Sequence, residues 1–242
     1  MAPRVSVAPA RASQGLRTYE VEGVRLELSR RGRAWRYDRP GLARPFLFDA
    51  VDDPPIVFEA RVKAEEAVAR LATPLLVPPR RSLHLWLAWP LEVAVLAGGH
   101  EIDAFHPRMR RTLFGPVGEG VVLAAAVCEP VSSPGEGALQ GRPIAALELS
   151  IESRADHAVP VPRVPIEGRL LNLFQRQGSL AAGQVSLFLL GATRAQAETR
   201  PGPAPPGFSL AVAAPLPAGG VVPIHGLSWL LDQTRHSAEF PL

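Results

Sequence analysis

The sequence predicts a mainly β protein of sandwich type, closed by one short C-terminal α-helix, and three observations carry that reading. Apolar and polar residues alternate with period two through many short runs. The 26 prolines and 21 glycines fall between those runs along the whole chain, so elements are short and connections frequent. Only one late segment has helical spacing. With 47% apolar and 20% charged residues, the 242-residue chain is rich enough in core formers to be excluded from the disordered class.

Residues 1–16 carry Pro, Ser and Arg without the continuous apolar block of a secretory leader, and are expected to be a flexible tail with no export indicated. From Arg17 onward, Tyr19 and Val21 alternate with Glu20 and Glu22. After Gly23 the parity flips, and Val24, Leu26 and Leu28 alternate with Arg25 and Glu27. A two-residue turn or a bulge at Glu22-Gly23 returns both apolar sets to one face. Further short strands are expected near 34–37, 44–50 and 56–62, the last two divided by Asp52-Asp53-Pro54-Pro55. Lys63–Leu71 fits either a turn or two of helix or a continuing strand.

Leu83, Leu85, Leu87, Leu91, Val93 and Val95 share one parity across Pro90, as in a strand pair or one bent strand. Gly120–Cys128 is apolar on both parities and reads as a strand covered on two sides. Ala145 to Ile151 alternates against Glu148, Ser150 and Glu152 and is expected to form a hairpin with the run through Val159 and Val161. Strands follow near 170–174, 185–190 and 208–212. Leu227, Leu230, Leu231 and Thr234 then follow helical spacing, which places the helix at about 226–237. The Pro-, Gly- and Ser-dense residues 131–143 are the natural boundary, giving an N-terminal β module over 17–130 and a C-terminal β module over 144–242.

Charge and motif content exclude several functions. Lys63 is the only lysine and the formal net charge is +3, so the basic stripe of a nucleic-acid binder is missing and nucleic acid is not an expected partner. No phosphate loop of the Gly-x-x-x-x-Gly-Lys type exists. Gly135 to Gly141 has the wrong last spacing for a dinucleotide loop, and a strand follows where a helix should start. Gly178-Ser179 lacks the second glycine of a nucleophile elbow. Cys128 is the sole cysteine, so no intrachain disulfide or thiolate metal site forms within one chain, and its place at the end of an apolar run reads as packing. The longest apolar stretch, from Leu83 to Gly98, is interrupted by His84, Pro90 and Glu92 and is too short to span a membrane as a helix.

The candidate binding residues are few. His100, Glu101, Asp103 and His106, followed by Arg108, Arg110 and Arg111, form the most polar cluster. On a regular strand Glu101 and Asp103 share a face about 6–7 Å apart, while His100 and His106 lie about 20 Å apart on the other. A metal site therefore needs His84, His157 or a distant acid to converge; the alternative is an exposed turn with solvated charges. Trp86 and Trp89 face opposite sides of an unbroken strand, so one of them is a candidate contact surface. No catalytic set, metal site or cofactor motif is identified, and no cofactor is expected. Asp49, Asp52 and Asp53 read as turn formers before Pro54-Pro55 rather than calcium ligands.

Several stretches together resemble an uncharacterised prokaryotic family, domain of unknown function 432. They are Pro90-Leu-Glu-Val-Ala-Val95, Ile102-Asp-Ala-Phe105, Thr112-Leu-Phe-Gly-Pro116 with Gly120-Val-Val, and Pro134-Gly-Glu-Gly137 leading into Leu147-Glu-Leu-Ser-Ile151. The resemblance spans about Tyr19 to the end, implies the β fold and carries over no catalytic residue. The functional expectation is a cytoplasmic, non-catalytic interaction module with a protein partner or self-association, using strand edges or the surface around Trp86 and Trp89. The alternative is a hydrolase or metal-binding enzyme assembled from dispersed His, Asp and Glu.

Overall fold

The computed structural model describes residues 2–5, 7–13, 15–49, 53–63, 65–114, 121–191 and 195–215, together with the backbone of 238–240. The helix expected at 226–237 lies outside these residues. The described residues are mainly β, in four sheets. Two single 3-10 turns, Gly137–Leu139 and Gly168–Leu170, are the helical pieces among them.

The first sheet is a meander of β1 (Arg11–Ser13), β2 (Leu16–Val21), β3 (Val24–Arg31), β4 (Ala34–Asp38) and β5 (Phe46–Asp49), each strand antiparallel to the next. The second has the order β10-β9-β6, from β6 (Ile56–Arg61), β9 (Glu92–Ala97) and β10 (His100–Phe105). The third comprises β7 (Glu66–Val77), β11 (Arg110–Phe114), β12 (Val121–Cys128), β15 (Val159–Glu167) and β20 (Ala238–Phe240) in the order β15-β7-β12-β11-β20. The fourth runs β13-β8-β14-β17-β16-β19, from β8 (Ser82–Pro90), β13 (Pro130–Val131), β14 (Ile144–Ser153), β16 (Leu173–Arg176), β17 (Ser179–Leu189) and β19 (Ser209–Val212). Beside it β18 (Ala195–Arg200) pairs with β17.

The Glu22-Gly23 parity flip is a two-residue hairpin turn. Glu22 has φ 50° and Gly23 φ 80°, with Val21 opposite Val24. Two positive φ values match the right-handed twist of the flanking strands, and the turn returns Tyr19, Val21, Leu26 and Leu28 to one buried face. The open choice at Lys63–Leu71 resolves as strand, because β7 starts at Glu66 and pairs with β12 and β15.

The apolar parity from Leu83 to Val95 belongs to two strands in different sheets. At Leu91, which is fully buried, the chain leaves the fourth sheet for the second, and its N–H donates to the Pro143 carbonyl at 2.8 Å. Proline ends the ladder there, and a corner between sheets preserves the inward parity on both sides.

The hairpin expected between 145–151 and 159–161 is not formed. β14 pairs antiparallel with β8 and parallel with β17, while β15 pairs with β7 in another sheet. Alternation specifies which face is buried but not which neighbour pairs, and the turn after Ser153 carries the chain across to the facing sheet.

All four sheets contribute to one core. Leu28 and Trp35 come from the first, Phe58 and Val95 from the second, Ala126 and Val161 from the third, and Leu87 and Leu149 from the fourth.

A candidate binding cleft at the β10–β11 connection

Asp103 is the centre of the polar structure here, and a β-bulge puts it there. Glu101 stands opposite Leu96 but Asp103 opposite Val95, so the register slips at Ile102. The extra residue reverses the alternation. Glu101 and Asp103 thus lie on opposite faces, not on the shared face that a regular strand gives. Glu101 points outward to Arg61, which also donates to Glu59 at 3.1 Å.

The Asp103 side chain is only 8% exposed and turns inward to two partners from β4 and its following turn. Tyr37 donates its hydroxyl to Oδ2 at 2.7 Å; Arg39 donates Nε to Oδ2 at 2.6 Å and Nη2 to Oδ1 at 3.2 Å. Burial and the carboxylate push the Tyr37 phenol well above its usual range. Asp103 is therefore neither a turn residue nor solvated: both oxygens are used.

Arg39 is placed by local chain chemistry. Pro40 presets φ and Gly41 takes φ 88°, which makes Arg39–Leu42 a type II turn closed by the Leu42 N–H on the Arg39 carbonyl at 3.3 Å. Its guanidinium also lies 4.8 Å from the centre of the Phe105 ring.

Beside this triad opens a cavity of about 460 Å³. Its walls include Arg39 and Gly41 from the β4–β5 turn, Lys63 from the β6–β7 connection, Glu92 and Ala104 from β9 and β10, and His106, Met109 and Arg110 from the β10–β11 connection and the start of β11. Lys63 pairs with Glu65 at 2.8 Å. Gly168 backs this connection so closely that a Cβ would run into the Lys63 carbonyl. Glu92 is half-buried, and burial raises its pKa although the Lys63 and Arg61 charges oppose that rise. Among the described residues neither Glu92 nor Arg110 has an ion-pair partner.

His106 is a wall rather than a base. Both ring nitrogens are buried without a hydrogen-bond partner among the described residues, although the nearby Leu91 backbone favours the charged ring slightly. Burial, with Lys63 adding to it, pushes the pKa down to about 3.

On the other side of the same connection, Glu22 holds two arginines. Its carboxylate, 8% exposed, accepts Nε of Arg108 at 2.7 Å and both Nε and Nη2 of Arg142 at 2.7 Å. These contacts, Arg142 first, hold the Glu22 carboxyl below the usual carboxylate range. The hairpin tip, the β10–β11 connection and the residues before β14 are thereby clasped at one point.

Of the candidates read from the sequence, Asp103, His106 and Arg108 lie around this connection. His100 is exposed at the start of β10, and Glu101 faces outward. Trp89 is 3% exposed in the main core, whereas Trp86 is half-buried on the other face of β8 against Leu139 and Ile144. His84 lies beside Glu148 and His157 beside Asp156, and no cluster of three metal-ligating side chains occurs among the described residues. Glu22, Tyr37, Arg39, Lys63, Glu92 and Arg142 escaped the sequence reading, whereas Arg110 stood in it as part of the arginine rim after His106. Two signals could have found them: the Arg39-Pro-Gly turn, and a glutamate where a hairpin turn prefers Asn or Asp.

Fold and cleft together define a multi-sheet β protein of sandwich type. The chain belongs to the family described as Protein of unknown function (DUF432), whose model matches residues 10–218. No curated protein and no solved structure matches it. Among the described residues no helix is long and apolar enough to cross a membrane.

Proposed function

We propose that the protein is a non-catalytic binding module and that the cavity at the β10–β11 connection takes a compact ligand carrying both a cationic and an anionic group. One observation carries this reading. The cavity, about 460 Å³, falls within the size range of small-molecule sites and presents an acid, Glu92, and a base, Arg110, neither of them ion-paired among the described residues, over the apolar Phe105 and Met109. A ligand ammonium offsets the burial of Glu92, and a ligand carboxylate matches the Arg110 fork. The groups with catalytic potential are otherwise engaged. Asp103 is consumed by Tyr37 and Arg39, the His106 nitrogens are buried, and the Cys128 thiol is fully buried with its pKa pushed up to about 12.

A second reading has its own observation: β5 is the edge strand of its sheet, with Leu47 65% and Phe46 42% exposed. An apolar edge invites a second copy to extend the sheet. Native mass spectrometry of freshly purified protein separates the two. A stoichiometric small-molecule adduct that disappears in Ala104→Phe, which fills the cavity from a half-exposed wall, supports the ligand reading. An adduct-free dimer supports the edge, and an adduct-free monomer overturns both.

A further inference from the structure

We propose that the outward face of the fourth sheet binds a neutral glycan, with Trp86 as the stacking residue and Glu148 and Gln184 as its hydrogen-bonding groups. Neither the cavity at the β10–β11 connection nor the β5 edge uses these residues.

The strand register sets them side by side. On β14, Leu147, Leu149 and Ile151 belong to the main core, so Glu148 and Ser150 turn away from it. Trp86 of β8 stands directly opposite Glu148, and His84 opposite Ser150. On the other side of β14, Gln184 and Ser186 of β17 take the same two places. Gln184 faces outward because β17 carries an extra residue just before it: Ala146 stands opposite Ala181, but Glu148 opposite Gln184. Gly183 fits there, since a Cβ would run into the carbonyls of Arg200 and Pro201. Two adjacent rungs result, Trp86–Glu148–Gln184 and His84–Ser150–Ser186.

Trp86 is half-buried, whereas Trp35 and Trp89 are only 2% and 3% exposed. It rests against the cluster of Leu139, Ile144 and Ala146, which holds it at the border of the face. The Trp86 indole N–H, the Gln184 amide and the Ser150 and Ser186 hydroxyls make no hydrogen bond among the described residues. Donors and acceptors are therefore open beside an aromatic side chain.

Charge on the face is balanced internally. His84 lies beside Glu148 at 3.5 Å, Glu198 of β18 holds Arg200 at 2.7 Å, and Glu152 holds Arg154 at 2.9 Å. A polyanion meets three carboxylates here and gains no counterion release. An apolar protein surface strips water from Glu148 and Gln184 without replacing their hydrogen bonds. A neutral sugar does neither. Its hydroxyls donate and accept, which suits a carboxylate next to an amide, and its C–H face packs on an indole. Adjacent strands stand about 4.8 Å apart, close to the length of one sugar unit in an extended chain, so successive units meet Trp86, Glu148 and Gln184 in turn.

The test is native affinity electrophoresis of the full chain through gels containing glycogen or hydroxyethylcellulose, the α- and β-linked neutral probes, with polygalacturonate as the charged comparison. The expected result is retardation by at least one neutral glycan. Apparent affinity should weaken at least tenfold in Trp86→Ala and in Gln184→Ala and stay unchanged in Glu20→Gln, on the exposed side of β2. Gln184→Ala removes an amide with no hydrogen bond among the described residues, so this variant keeps the fold even if Trp86→Ala loosens its cluster. Retardation by neither neutral glycan overturns the site, as does undiminished retardation of Gln184→Ala or stronger retardation by polygalacturonate. So does a dimer on size exclusion that Trp86→Ala dissolves, because the face is then a contact between copies. The face shares no residue with the cavity at the β10–β11 connection, so Gln184→Ala leaves the ligand reading there untouched.

Discussion

Replacing Glu22 with asparagine sets local turn chemistry against tertiary contacts. Glu22 occupies a positive-φ hairpin position, φ 50°, where a glutamate is strained by about 1 kcal/mol and asparagine is favoured. By the turn rule alone, Glu22→Asn stabilises the protein. Against that stand the charge-assisted hydrogen bonds from Arg108 and Arg142. Buried bonds of this kind are worth about 1.5–3 kcal/mol each. Because the two arginine side chains are 47% and 39% exposed, the pair is discounted to about 2 kcal/mol in total. The net expectation is a loss of about 1 kcal/mol, or a Tm lower by about 3 °C for a chain of this length. Differential scanning calorimetry at pH 7 measures it. The same variant should lose part of the wild-type acid sensitivity. The folded Glu22 carboxyl titrates below its ordinary value near 4.5, so the contribution of the clasp is complete above that value and is lost as pH falls through the lower folded one. A raised Tm in Glu22→Asn refutes the claim that Glu22 is retained for its two arginines.

Three further outcomes follow from the same geometry. Asp103→Ala leaves Arg39 buried without its partner and should cost about 3 kcal/mol or more in urea denaturation, with Tyr37→Phe strongly non-additive to it; additive losses contradict a shared carboxylate. The His106 ring, with its pKa near 3 against an ordinary 6.5, should show no titration above pH 5 by proton NMR. The unfolded chain binds the proton first, so His106 makes stability fall as pH drops from about 6.5 toward 3, and a chemical-shift midpoint near 6.5 contradicts the burial. The Cys128 thiol, fully buried with its pKa near 12, should react with a thiol reagent at pH 8 only when the protein opens, so an immediate stoichiometric reaction rules out the packing assignment.

The strands were legible wherever one face is buried and the other solvated. The Glu22-Gly23 turn could be read from a single parity flip, and the inward sets of β2 and β3 follow from it. Pairing was less legible. β14 shows the same alternation as a hairpin arm, yet it is a central strand between β8 and β17, because alternation reports burial and not neighbours. The site was partly legible. Polar density pointed to residues 100–108, but the bulge at Ile102 is a matter of backbone register that no residue type announces. It turned Asp103 inward and left Glu101 outside. Lys63 reaches the cavity from the β6–β7 connection and Glu92 from the start of β9, and spacing along the chain carries no trace of that meeting.

The most direct test of the binding reading is a crystal structure of the protein as purified, before any exchange into new buffer, refined to a resolution that separates ligand from water. The account predicts continuous density of a compact molecule between Glu92 and Arg110, resting on Phe105 and Met109. Ordered water alone in that cavity, with Glu92 and Arg110 both turned to solvent, contradicts it.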